Sequence, residues 1–304
     1  MKELQERIKT GGIKMIPVDG KYQVWTKKIG DSPTRMLTLH GGPGATHEYL
    51  ECFEDFLPQA GIEFYYYDQL GSAYSDQPTD KSLWTVERFR DEVEQVRVAL
   101  GLDRFYLYGS SWGGMLGIEY ALKYQRHLKA LIISNMTASV SSYLKYVNEL
   151  RQKFPLKIRE TLKKYETKEE YNAPEYQEVV FKYLYAKHLC RLSPWPDPVA
   201  RTIKHLNTEV YNTMQGPNEF VVTGTLKDWD RWKEIQDIRI PTLLMVGRHD
   251  TMRVEDIQKM GRLIPNSRVA VCENGSHLSM YDDQRTYFLA LINFIKDVDA
   301  GKFT

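Results

Sequence analysis

No stretch of the 304-residue chain is apolar for long enough to cross a membrane as a helix. The opening "MKELQERIKTGG" is charged and has no apolar core of the kind a secretory signal carries. Membrane insertion and export are therefore not expected, and a cytoplasmic location is. Cysteine is scarce. Cys52, Cys190 and Cys272 are odd in number and widely spaced, with no CxxC and no Cys/His cluster, which excludes a disulfide frame and a zinc site and leaves buried reduced thiols. Neither sign of charge dominates: 41 Lys and Arg against 40 Asp and Glu leave a net charge of +1, so nothing points to nucleic acid or an anionic membrane surface as partner. Internal repeats and low-complexity tracts are missing too. With 42% hydrophobic and 27% charged residues, the chain has the composition of an ordinary globular protein with a sizeable core.

Along the chain, "IKMIPV" and "KYQVWTKKIG", joined through "DG", predict an opening β-hairpin. "RMLTLH" predicts a strand running into "GGPG", followed by a helix over 47–59 and an aromatic strand, "IEFYYYDQLG". "WTVERFRDEVEQVRVALGL" is amphipathic at helical spacing and stops at a glycine. "RFYLY", the helix from "MLGIEYALKY" and "LKALIISNM" continue the alternation of strand and helix. This rhythm predicts an α/β fold with a mostly parallel central sheet and helices on both faces. It stops from about Ser139 to Trp232, a Lys-, Glu- and Tyr-rich stretch with helical spacing, and returns at "IRIPTLLMVGRHD". The expected organisation is a core of residues 1–138 and 233–304 with a helical cap inserted at 139–232.

"LYGSSWGGM" holds the frame G-x-S-x-G at Gly109, Ser111 and Gly113, between a predicted strand and a predicted helix. That context turns the pentapeptide into a nucleophile elbow: the turn is sharp, and side chains at the two glycines would crowd the backbone. Ser111 is then the nucleophile and Ser110 points back into the sheet. A serine hydroxyl needs a base, and the base needs a carboxylate to fix its tautomer. Asp250 in "VGRHD" and His277 in "ENGSH" follow late strands in the order Ser, Asp, His. Each alone reads as an ordinary loop residue; together, at strand ends, they read as a triad. His249 adjoins Asp250 and is expected to face away. The oxyanion of a tetrahedral intermediate requires two N–H donors, assigned to Gly42 of "HGGPG" and to Trp112. No constellation supports metal or cysteine chemistry.

With these motifs placed, the chain resembles the proline iminopeptidases, a family of α/β-hydrolases, through "LHGGPGATHEYL", "YYDQLGSAYSD", "LYGSSWGGMLGIEYALKYQRHLKALIISN", "GPNEFVVTGTLKDWD", "PTLLMVGRHD" and "SHLSMYDD". The resemblance implies a helical cap over the site, no metal or organic cofactor, and release of an N-terminal residue, preferably proline, from short peptides. Hydrolysis of L-amino-acid amides, general carboxylesterase activity and a non-catalytic binding role are the alternatives. It also implies that Glu219 of "GPNEF" binds the substrate's free amino group, a role in which a desolvated carboxylate is the natural counter-ion. Without the resemblance, Glu219 reads as a solvated surface charge. Some members carry a second acid directly after the triad aspartate, where this chain has Thr251, so amine recognition is expected to be weaker or shared with Glu48. Tyr143, Tyr146, Tyr183, Tyr185, Trp195 and Tyr211 are candidates for a proline pocket, most of them expected to pack the cap instead.

Overall fold

Strand β1 (Ile13–Val18) turns back on β2 (Tyr22–Ile29) through Asp19 and Gly20, both at positive φ (53° and 65°), which is the conformation that an Asp-Gly turn supplies. The computed structural model describes residues 12–303; the charged N-terminal stretch discussed above, residues 1–11, lies outside the described residues. β3 (Arg35–Leu39), β4 (Glu63–Asp68), β5 (Phe105–Ser110), β6 (Leu128–Ser134), β7 (Thr242–Gly247) and β8 (Ser267–Cys272) complete one sheet in the order β1-β2-β4-β3-β5-β6-β7-β8. β1, β2 and β4 pair antiparallel, and every later pairing is parallel.

The period of two along the central strands divides two cores. Leu37, Leu39, Tyr65, Tyr67, Leu107, Leu131, Ile133, Leu244 and Val246 face one. Met36, Phe64, Tyr66, Tyr106, Tyr108, Ala130, Ile132, Leu243 and Met245 face the other. Helices α1 (Val86–Leu100), α2 (Trp112–Tyr124) and α8 (Val254–Leu263) cover the first face, and α10 (Gln284–Asp299), preceded by the single turn α9 (Ser279–Asp282), covers the second. Thr85 caps α1 by accepting from the Arg88 N–H, and Gly101, at φ 63°, ends it as the sequence predicts. β4, β5 and β7 are buried along their whole length, as strands covered on both sides must be.

One predicted helix is wound differently. The segment beginning at His47 is a 3-10 helix, His47–Asp55, with a second short one at Pro58–Ala60. Its first three N–H groups donate to side chains of Asp68, Thr46 and Thr202, and Pro58 offers no N–H with which to continue.

Between β6 and β7 the chain leaves the sheet. It runs through α3 (Val140–Gln152), α4 (Leu156–Glu166), α5 (Pro174–Val180), a π-helix (Phe181–Leu189), α6 (Asp197–Lys204) and α7 (Thr208–Met214). Its two ends meet: Val140 donates to the Trp229 carbonyl at 3.0 Å and Arg231 to that of Ala138 at 2.8 Å. Four polar contacts fasten α6 and α7 to the loop and 3-10 helix after β3. Arg201 pairs with Glu48 and Glu51, Thr202 meets Thr46, and the Asn207 N–H donates to the Gly44 carbonyl.

Candidate active site

Ser111 stands between the last residue of β5 and the first of α2 with φ 57° and ψ −125°, a strained conformation for a residue with a Cβ. The glycines around it are required by contact. A Cβ at Gly109 would lie 2.0 Å from the Gly113 carbonyl oxygen, and one at Gly113 would lie 2.1 Å from that of Leu39. Both obstacles are backbone, which cannot step aside. The two adjacent serines are distinguished by the turn: Ser110 is fully buried at the end of β5, whereas Ser111 opens into a cavity.

That cavity is tight, about 10 Å³, room for little more than one water molecule between the side chains that line it. Gly42, Ser111 and Trp112 form its floor; Met115, Met136 and Met252 contribute apolar wall. Val140, Tyr143, Gln215, Glu219 and Leu226 close it from the helical excursion. Gly42 sits at φ 110°, a value open only to glycine at low cost, and Trp112, as the first residue of α2, has an N–H without an intrahelical acceptor.

The structure brings Asp250 and His277 together, buried in the loops after β7 and β8. Asp250 Oδ1 lies 2.8 Å from His277 Nδ1, and its Oδ2 accepts from Asn135 Nδ2 at 2.7 Å. Burial alone would push the His277 imidazolium down; the charge and hydrogen bond of Asp250, helped by Glu219, outweigh it and hold the ring's pKa above the ordinary histidine value. With Nδ1–H committed to Asp250, Nε2 is the free acceptor. His249 is partly buried, and its carbonyl accepts from the His188 ring.

Glu219 lies across the cavity from the elbow. Burial raises its pKa, opposed by His277 and by the Tyr211 hydroxyl, which donates to Oε1 at 2.5 Å, with Asp250 adding to the rise. Glu48 is placed differently: its carboxylate is taken up by Arg201 at 2.6 Å, His205 at 2.8 Å and Thr46 at 2.9 Å, an arrangement that ties α6 to the loop after β3. Of the six aromatic candidates, Tyr143 lines the cavity, Tyr211 holds Glu219, and Tyr185 packs on Phe220 with ring centroids 5.4 Å apart. Trp195 packs on Phe181.

Sequence reasoning did not find the groups that hold these residues. Gln69, in "DQLG", accepts from the Trp112 indole at 2.8 Å while its own backbone and amide groups grip buried His40, so the glycine loop after β3 and the elbow are fastened together. Asn135 at positive φ, directly after β6, reaches Asp250. The signal available was position alone: both follow strand ends next to the site. Among the described residues no three His, Cys, Asp or Glu side chains converge so as to hold a metal ion, and no helix is long and apolar enough to cross a membrane.

A mostly parallel sheet with a strained serine at a strand-to-helix elbow after β5, and a buried Asp–His pair in the loops after β7 and β8, defines a serine hydrolase of the α/β class. A family model for the alpha/beta hydrolase fold matches residues 34–284. The proline iminopeptidase of Elizabethkingia meningoseptica is 47% identical over 297 residues, covering 95% of this chain and 100% of that protein. Among solved structures, VinJ superposes with a TM-score of 0.90 at 34% identity, covering 94% of this chain and 99% of that one. The Mycobacterium smegmatis proline iminopeptidase does so with a TM-score of 0.88 at 30% identity, covering 95% and 99%. The chain belongs to the proline iminopeptidase family.

Proposed function

We propose that this protein is a serine aminopeptidase that releases an N-terminal residue, preferably proline, from short peptides by way of an acyl-enzyme. The observation that carries this reading is a carboxylate, Glu219, on the wall of the same small cavity as Ser111. An exopeptidase must recognise a terminal ammonium, and a desolvated carboxylate lining the same cavity as the nucleophile does so while excluding a longer N-terminal extension. An esterase has no use for that charge.

The residues then divide the work. Ser111 Oγ attacks the carbonyl carbon of the N-terminal residue as His277 Nε2 takes its proton, and Asp250 holds the imidazolium. The Gly42 and Trp112 N–H groups receive the oxyanion. His277 returns the proton to the departing amine, then activates the water that hydrolyses the ester and frees Ser111. Segment 139–232 acts as a cap that supplies Glu219 and shuts the cavity, and the apolar side chains of Met115, Met136, Val140, Leu226 and Met252 accept the pyrrolidine ring.

The test compares proline arylamide with N-acetylproline arylamide and a simple acyl ester, using wild type and Ser111→Ala. Cleavage of the free-amine substrate alone among the amides, lost in Ser111→Ala, is the expected result. Equal or better cleavage of the acetylated amide and ester would replace the aminopeptidase reading with that of a carboxylesterase. Preference for prolinamide over every dipeptide would make the protein an amino-acid amide hydrolase.

A further inference from the structure

The π-helix Phe181–Leu189 ends against the loops that carry the Asp–His pair. The last carbonyls of any helix lack intrahelical partners. Here the His188 carbonyl accepts from the His277 N–H at 2.9 Å, and that of Leu189 accepts from the Leu278 N–H at 2.8 Å and from Ser276 Oγ at 2.9 Å. Three consecutive residues around the base thus hang on two consecutive carbonyls of the excursion. The His188 side chain reaches the other loop: its Nδ1–H donates to the His249 carbonyl at 2.7 Å, one residue before Asp250.

We propose that His188 is a positioning residue for the triad, its backbone holding the loop of His277 and its ring holding the loop of Asp250, so that the pair keeps its register only with the excursion docked. The two loops share one direct backbone bond nearby, from the His249 N–H to the Gly275 carbonyl at 2.9 Å. That bond ties 249 to 275, and Asn135 Nδ2 bridges Asp250 Oδ2 at 2.7 Å and the Ser276 carbonyl at 3.1 Å; His188 adds the bracket that comes from the excursion. The same helix carries Tyr185 against Phe220, next to Glu219, so the segment that grips the base also abuts the amine-facing residue. The inference rests on the triad reading given above.

The groups facing the two histidines define what a pH readout reports. His277 faces Asp250, Glu219 and Asp282, and His188 faces Asp250, Lys187 and His249. In His188→Ala the backbone acceptor stays and the Nδ1–H donor goes. His188→Asn restores a donor at the position of Nδ1. For the alanine variant, kcat should fall about 5- to 20-fold on proline arylamide and on an acyl ester alike, since misplacement of a base by a fraction of an ångström costs rate and not binding. KM should stay within about twofold, and the acidic limb of kcat/KM should move down toward the ordinary histidine pKa as the Asp250–His277 pair loosens. The asparagine variant should recover most of kcat and the wild-type limb.

A kcat within twofold of wild type in His188→Ala, a loss confined to KM, an unmoved limb, or an asparagine variant as impaired as the alanine one overturns the proposal. Where the alanine variant is too unstable to assay, the asparagine variant decides, with wild-type kcat and limb supporting and a kcat loss refuting. Turnover surviving in Ser111→Ala, by contrast, removes the triad reading whatever His188 does.

Discussion

Glu219→Gln separates amine recognition from the rest of the chemistry. Tyr211 donates to Oε1, and a glutamine that keeps its amide oxygen on that hydroxyl turns its NH₂ the other way. A donor would then face the substrate's ammonium where an anion stood. The variant therefore loses the whole charge-assisted interaction, about 1.5–3 kcal/mol, and kcat/KM for proline arylamide should drop roughly 10- to 150-fold. Burial already raises the Glu219 pKa, so in the free enzyme the ionised form is uncomfortable and an arriving ammonium relieves it. That argues for the upper half of the interval. The assay sets kcat/KM for proline arylamide against that for an acyl ester without an amine, on the same preparation, so that any loss of folded enzyme cancels in the ratio. The ester should change by less than about twofold. Equal falls on both substrates would refute the reasoning, making Glu219 a structural group of the excursion.

The pH profile should differ between the same two substrates. Ester hydrolysis should rise through a His277 pKa above about 6.5 and then plateau, whereas proline arylamide should give a bell, falling again as the substrate's α-amino group, ordinarily near 8, loses its proton and with it the attraction to Glu219; a plateau for both in stopped assays from pH 5 to 10 would contradict it. Asn135→Ala removes the donor to Asp250 Oδ2, a bond to a charged group, so kcat should fall about tenfold or more with KM held, as read by steady-state kinetics on proline arylamide. Gly113→Ala drives a Cβ against the Leu39 carbonyl oxygen and should cost about 1–3 kcal/mol, seen as a Tm lowered by several degrees in calorimetry together with lost labelling of Ser111 by a fluorophosphonate.

Much of this architecture is written in short-range pattern. Strand and helix alternation, the Asp-Gly turn, the glycine stop after α1 and the elbow glycines each follow from local rules, and the structure supplies the contacts behind them: a Gly113 Cβ has no room because Leu39 passes beneath it. The 3-10 winding after His47 was not legible, since it depends on Asp68 and Thr202, residues distant in the chain that meet only after folding. The partners of the site were hidden for the same reason. Nothing in "SNM" says that Asn135 will face Asp250, and nothing in "DQLG" says that Gln69 will join His40 to Trp112. Glu48 shows the converse: its place beside the glycine loop was legible, but the Arg201 and His205 that occupy its carboxylate come from a helix about 150 residues away.

Thr251 gives the charge balance of the site its particular form. It is buried, and its hydroxyl lies 3.2 Å from Asp250 Oδ1, donating where an acidic residue would repel. With the proposed roles, the unliganded site has two carboxylates, Glu219 on the cavity wall and Asp250 behind it on a neutral His277. Substrate brings one ammonium; attack then creates one imidazolium and one oxyanion, the latter met by the Gly42 and Trp112 N–H groups. Each charge then has an opposite partner or a pair of N–H donors, and the site as a whole carries one net negative charge. A second acid at 251 would leave two, among walls made of Met115, Met136, Val140 and Leu226, where an uncompensated charge is costly to bury. On these proposed roles a single carboxylate suffices to select a free amine, without distinguishing one N-terminal residue from another. Preference among those residues is left to the shape of the apolar wall, and three flexible methionine side chains make that wall adaptable to rings and short branched chains alike.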